Sequence, residues 1–259
     1  MQNTSRSALA PHAARRGAAT RLTRLAAALT FLLAAHSAFA DSSACPDPNS
    51  ALETNEPSFA LPRGDSGPLN ILAIGSSSTE GVGATSPTST YPARLQDELG
   101  HDDGIVADVR NAGVGGELAA KTLPRLLAAL KRKWARLVIW QVGTNDALVG
   151  VDEGLFRATV ESGVYAARAA GVALMLTDPQ YVRKVSDDSR YKRFVAIIHD
   201  IGARFHVPVI SRYSMMQRWG AKTRTSLLSD DGLHMNDLGY RCVAHALAEA
   251  IEDAVQGRL

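Results

Sequence analysis

The stretch from Leu69 to Gly83, LNILAIGSSSTEGVG, decides how this chain is read. Leu69–Ile74 is a short, nearly continuous apolar run that ends in glycine and serine. Such a run closed by turn residues suits a strand buried on both faces. The Gly/Ser-rich segment after it can be a plain turn, a phosphate cradle or the loop of a nucleophile. The surrounding pattern has to choose among them.

Outward from that stretch the chain alternates regularly. Tyr91–Leu99 carries helical spacing and Val106–Arg110 reads as the next strand. Leu118–Leu130 is an expected helix that Pro124 bends or restarts. Arg136–Val142 (RLVIWQV) is a β-branched and aromatic strand ending at Gly143. Phe156–Ala170 is an expected helix, closed by Gly171 just past its end. Val172–Thr177 is a strand ending at Asp178-Pro179, Tyr191–Phe205 a helix and Val207–Ile210 a short strand. Asp237–Val255 closes the series, with Asn236 as its cap and Leu238, Val243, Leu247, Ile251 and Val255 at helical spacing. Five strands alternating with helices imply an α/β fold with a five-stranded parallel sheet covered on both faces. Right-handed crossovers bring the C-terminal ends of all these strands to one edge, where such sheets bind ligands.

The charge of the chain is unevenly placed. The 259 residues hold 28 Lys and Arg against 26 Asp and Glu, a net charge of +2. Residues 1–40 contain five arginines and no acid, so the remaining 219 residues carry 23 bases and 26 acids, a net charge of −3. That balance argues against a nucleic-acid partner, which needs a basic excess to displace counterions from phosphates. With 46% hydrophobic and 21% charged residues, the chain is expected to fold. The arginine-rich start, the apolar run LAAALTFLLAA at 25–35 and the small residues Ala38 and Ala40 have the form of a secretory signal peptide cleaved after Ala40. The apolar run is too short for a stable bilayer span, which needs about 20 residues. The expected organisation is therefore a signal peptide at 1–40, an extended lead-in at 41–68 and one domain at 69–259. The expected location is periplasmic or extracellular. Cys45 and Cys242 survive that cleavage, and whether they pair stays open at this level.

Four segments stand at the expected strand ends or before the last helix: GSSSTEGVG at 75–83, NAGVGGE at 111–117, GTND at 143–146 and DDGLH at 230–234. Together they supply a hydrolytic site. Ser77 is the expected nucleophile, His234 the base and Asp231 the group that fixes the imidazole tautomer. The backbone N–H groups of Ser77 and Gly116 and the side-chain amide of Asn145 are the expected oxyanion hole. A glycine at 116 suits close backbone approach or a positive φ.

These four segments, in this order, resemble the SGNH hydrolase superfamily, the GDSL-like lipases and acylhydrolases, over roughly residues 69–255. The resemblance implies a three-layer α/β/α flavodoxin-like sandwich. It aligns GSSST with the first block, making Ser77 the nucleophile, and NAGVGG with the second, making Gly116 the oxyanion glycine. GTND and DGLH match the blocks that supply Asn145 and the Asp231/His234 pair. Two positions depart from the pattern. Ser76 stands where an aspartate is common, and Ser78 where leucine or isoleucine is usual. With three serines in a row, Ser76 and Ser78 are the alternatives to Ser77.

Other residues carry blander expectations. Glu80 and Glu117 read as solvated loop acids, and Asp146 as bonding its own turn. His101, His199, His206 and His245 have no partner at useful spacing. Tyr213, Met215, Met216 and Trp219 read more readily as core than as an acyl pocket. Asp230 competes with Asp231 but lacks the three-residue offset from His234. No His/Asp/Cys cluster suggests a metal, and no cofactor is expected. The expected activity is hydrolysis of lysophospholipid-type or simple acyl esters, with a carbohydrate O-acetylesterase as the alternative. A non-catalytic flavodoxin-like binding protein is the alternative of another class. The expected partner is a small-molecule, lipid or glycan ester, with no nucleic acid and no stable membrane span once the leader is removed.

Overall fold

A computed structural model describes residues 67–102, 105–182 and 187–256, with Cys45, Leu61 and the backbone of Leu52–Glu53. The leader expected at 1–40 lies outside these residues, as does most of the lead-in. Residues Asp41–Leu259 form one compact unit.

The strands are β1 (Leu52–Glu53), β2 (Leu69–Gly75), β3 (Ala107–Gly113), β4 (Leu137–Gln141), β5 (Ala173–Thr177) and β6 (Val209–Ile210), in the order β1-β6-β5-β4-β2-β3. The five strands β2 to β6 are parallel, as expected. Their order is the flavodoxin-like one, which reverses direction between β2 and β4 and opens a ligand crevice there. A sixth strand departs from the sequence reading. Within the lead-in, Leu52 pairs antiparallel with Ile210 and Glu53 with Val209, covering the β6 edge. A two-residue strand has no periodicity to read.

The buried sheet residues alternate between two cores. Ile71, Ala73, Leu137, Ile139, Met175 and Ile210 face one core. It is completed by Tyr91, Leu95 and Leu99 of α2 (Tyr91–Asp102) and Val243, Leu247 and Ile251 of α9 (Asp237–Gln256), which follows the short α7 (Arg212–Arg218) and α8 (Ala221–Ser226). Leu72, Ile74, Val138, Trp140, Leu174, Leu176 and Val209 face the other. That side is covered by α3 (Ala119–Lys131), α5 (Glu153–Ala170) and α6 (Asp188–Phe205). Because side chains alternate along a strand, a sheet buried on both faces needs an unbroken apolar run, as Leu69–Ile74 and Leu137–Trp140 provide.

Helix ends follow their sequence signals. Gly171 closes α5 in the left-handed conformation at φ 68°. Asn236 caps α9 by accepting from the N–H groups of Leu238 and Gly239, each at 3.1 Å. Pro124 lies inside α3 without breaking it. An interior proline costs about 3 kcal/mol, and burial of Leu126 and Leu130 on the same helix opposes that cost. Cys45 and Cys242 form a disulfide, with Cα atoms 5.3 Å apart, that ties the lead-in to α9. No helix among the described residues is long and apolar enough to cross a membrane.

Candidate active site

Strand β2 delivers the three serines to the sheet edge, and a short helix, α1 (Ser77–Glu80), follows at once. Two of the serines are buried and engaged. Ser76 donates to Gln141 Oε1 through its N–H at 2.9 Å and its Oγ at 3.1 Å. Thr79 Oγ1 donates to the same oxygen at 3.2 Å. Ser78 Oγ donates to Gln180 Oε1 at 2.9 Å. Gly75 makes room for the first set, since a Cβ there would lie 2.8 Å from Gln141 Oε1 and 2.5 Å from Thr79 Oγ1. The two departures from the family pattern thus have local partners. Buried hydroxyls need acceptors, and two glutamines supply them. Ser77, half-buried, is the serine whose Oγ faces a histidine.

That histidine is His234, whose Nε2 lies 2.8 Å from Ser77 Oγ. Its Nδ1 lies 2.6 Å from Asp231 Oδ2. The loop that carries both closes on itself, with the Ser229 N–H donating to the His234 carbonyl at 2.8 Å. Asp231 Oδ1 accepts from the N–H groups of Leu233 and His234, at 2.8 and 2.9 Å, and from Ser229 Oγ at 2.8 Å. Partial burial acts to raise the Asp231 pKa, but these bonds and the one from His234 outweigh it and hold the carboxyl well below the usual range. Asp230 is exposed. The three-residue offset therefore selects the acid that meets the imidazole.

The expected oxyanion donors lie against the same turn. Ser77 is the first residue of α1, where helix geometry leaves the N–H without a partner inside the helix. Gly116 has φ 75°, so of the two reasons expected for a glycine there, close approach or positive φ, the backbone has the second. A Cβ on the preceding Gly115 would come within 4.0 Å of Ser77 Cβ, so the 115–117 turn abuts the serine. Asn145, in α4 (Thr144–Val149), donates one amide hydrogen to the Glu117 carbonyl at 3.0 Å. A carboxamide has two donors, so a second hydrogen remains.

Two residues around this turn differ from the sequence reading. Glu117 is not a solvated acid. Its side chain is 17% exposed and its Oε2 accepts from Arg125 Nε and Nη2, at 3.1 and 2.8 Å. Arg125 also donates to the Ala112 carbonyl at 2.9 Å, so it clamps the 112–117 turn from α3. Asp146 is buried and reaches beyond its own turn, with both carboxylate oxygens accepting the Ala119 N–H at 3.0 and 3.2 Å. Burial raises its pKa against these backbone bonds. Gln141 and Arg125 were missed in the sequence, where the one signal was Gln141, a lone polar residue in the apolar strand RLVIWQV. Gln180 stood out there only as part of residues 178–182, the segment after the fourth expected strand at the ligand edge. Glu80 is exposed, as expected.

The remaining residues fall outside the site. Met215, Met216, Trp219 and Tyr213 are buried in the two cores, as the bland reading had it. His199 and His245 do have partners, Asp178 and Glu98, each at 3.0 Å from a distant segment. His101 and His206 are exposed.

Comparison with known proteins agrees with this fold. The model of the Non-GDSL lipase-like family matches residues 44–257. Among curated proteins, the chain is 26% identical over 186 residues to "Thioesterase 1/protease 1/lysophospholipase L1" of Escherichia coli (strain K12), covering 71% of this chain and 84% of that one. Among solved structures, the lipase/acylhydrolase from Enterococcus faecalis superposes with a TM-score of 0.62 at 24% identity, covering 71% of this chain and 95% of its own. The esterase EstA from Pseudoalteromonas sp. also gives 0.62, at 20% identity, covering 73% and 99%. These two likenesses establish the fold. The chain belongs to the Non-GDSL lipase-like family and, with it, to the SGNH hydrolase superfamily, as a serine hydrolase of carboxylic esters.

Proposed function

We propose that this protein is an exported esterase that cleaves acyl esters of lysophospholipid or simple-ester type through an acyl-enzyme on Ser77. One observation carries the reading: a continuous relay from Ser77 Oγ to His234 Nε2 at 2.8 Å and from His234 Nδ1 to Asp231 at 2.6 Å. In this reading His234 takes the serine proton as Oγ attacks the ester carbonyl. The N–H groups of Ser77 and Gly116 and the Asn145 amide hold the oxyanion that forms. His234 then gives its proton to the departing alcohol. A water, deprotonated in turn by His234, releases the acid and restores the serine. Asp231, kept ionised by its hydrogen bonds, stabilises the imidazolium at both stages.

Lysophospholipid-type esters are favoured because a curated relative that matches over most of its own length carries lysophospholipase in its name, beside thioesterase and protease. Export is supported by the arginine-rich leader and by a disulfide, which suits an oxidising compartment. The test is a panel on the mature protein: p-nitrophenyl esters of increasing chain length, lysophosphatidylcholine, an acyl-CoA and acetylated xylan. Hydrolysis is expected on the acyl esters and lost in Ser77→Ala. Full activity of Ser77→Ala would sink the assignment, and a sharp preference for acetate would overturn the substrate class. Mass analysis of secreted protein is expected to show a chain beginning at Asp41.

A further inference from the structure

We propose that Gln180 is a positioning residue that registers the loop of the base against the turn of the nucleophile. The proposal rests on the Ser77–His234–Asp231 reading. Gln180 follows β5, is 1% exposed and uses both ends of its side chain. Its Oε1 accepts from Ser78 Oγ at 2.9 Å, and its Nε2 donates to the Leu233 carbonyl. Its own carbonyl accepts from Tyr191 of α6, so the backbone that carries it is anchored.

The two contacts fall beside the two reacting residues. Ser78 is the neighbour of Ser77 within α1. The Leu233 carbonyl and the His234 N–H belong to one peptide unit, and that N–H donates to Asp231 Oδ1 at 2.9 Å. The unit is thus held at its oxygen by Gln180 and at its nitrogen by Asp231, which fixes the Cα from which the imidazole reaches out. Ser77 and His234 are 157 residues apart. One buried amide spans that separation in space. The hydroxyl of Ser78 is the donor that this bridge requires. A displacement of about 1 Å between reacting groups can cost on the order of 10² in rate.

The test uses the mature enzyme with Gln180→Met, which keeps length and burial but neither hydrogen bond, with Ser78→Ala, and with the double variant. kcat and KM are measured on a p-nitrophenyl ester. The rate at which a fluorophosphonate modifies Ser77 is measured in parallel. Gln180→Met is expected to lower kcat and the modification rate by about 10- to 100-fold, with KM within about twofold. Ser78→Ala is expected to cost less, and nothing further once Gln180 is already methionine, because the two act as one unit. Gln180→Leu provides a second test if the methionine variant does not fold. It too is apolar and close to glutamine in size, and it makes neither hydrogen bond, so kcat falls in the same way. Wild-type kcat and labelling in folded Gln180→Met or Gln180→Leu would overturn the proposal, as would losses that simply add in the double variant. Neither result touches the triad, whose own failure is marked by an active Ser77→Ala.

Discussion

Asp231 shows how one side chain can be specified by the loop that carries it. Its two oxygens divide the work, since Oδ1 collects two backbone N–H groups and Ser229 while Oδ2 meets His234. Hydrogen bonds to an ionised carboxylate stabilise the charged form, and here they more than offset the cost of partial burial. With its pKa held well below the usual range, Asp231 is ionised wherever an imidazole changes charge, ordinarily between pH 5 and 8. The acid limb of kcat/KM is therefore expected to show a single protonation, that of the proposed base, with unit slope on a logarithmic plot. A limb of slope two would mean that the carboxyl titrates in the same range. The same depression has a stability consequence. Its contribution is present above the unfolded carboxyl pKa of about 4, and it is lost as pH falls through the lower folded value.

At the scale of elements, the site depends on short segments locked together by long-range polar contacts. Helix α4 contributes Asn145 to the Glu117 turn and Asp146 to the start of α3. Helix α3 in turn contributes Arg125, which clamps the turn bearing Gly116. Asp146 is the joint of this circuit, because it accepts an N–H that α3 cannot satisfy internally. Asp146→Ala leaves that buried donor unpaired and is expected to cost about 1–3 kcal/mol, read from urea unfolding. Asp146→Asn keeps an acceptor and removes a charge that burial disfavours, so it is expected to cost less. The reverse order would show that charge rather than hydrogen bonding holds α3. Segments such as α1 and α4 were invisible as elements in the sequence, being too short to display a helical period. Their chemistry was legible all the same, because GSSST and GTND occupy strand ends.

At the scale of the whole molecule, the lead-in is part of the fold rather than a free tether. Its β1 pairs with the edge strand β6, and its Cys45 is bonded to Cys242 of the last helix across 197 residues of chain. A crosslink closing so long a loop restricts the unfolded ensemble strongly, and loss of a native disulfide typically costs about 2–4 kcal/mol. Cys45→Ala with Cys242→Ala is accordingly expected to lower the urea midpoint, with the wild type falling to match it under dithiothreitol. A wild type insensitive to reductant, or a double variant as stable as the wild type, would show that the lead-in adds nothing to global stability.

The sequence by itself determined the parallel α/β sheet, the order of its elements and the identity of the residues at its C-terminal edge. It could do so because apolar period, glycine punctuation and helix caps are local properties of the chain. Tertiary structure alone decided which serine of the three faces a histidine, whether the two cysteines meet and what Glu117 and Asp146 bind. It also decided that Gln141 and Gln180 would become partners of Ser76 and Ser78. Those outcomes depend on contacts between residues tens to hundreds of positions apart. A buried hydroxyl requires an acceptor, but only the packing of the sheet and its helices determines which distant side chain arrives to supply it.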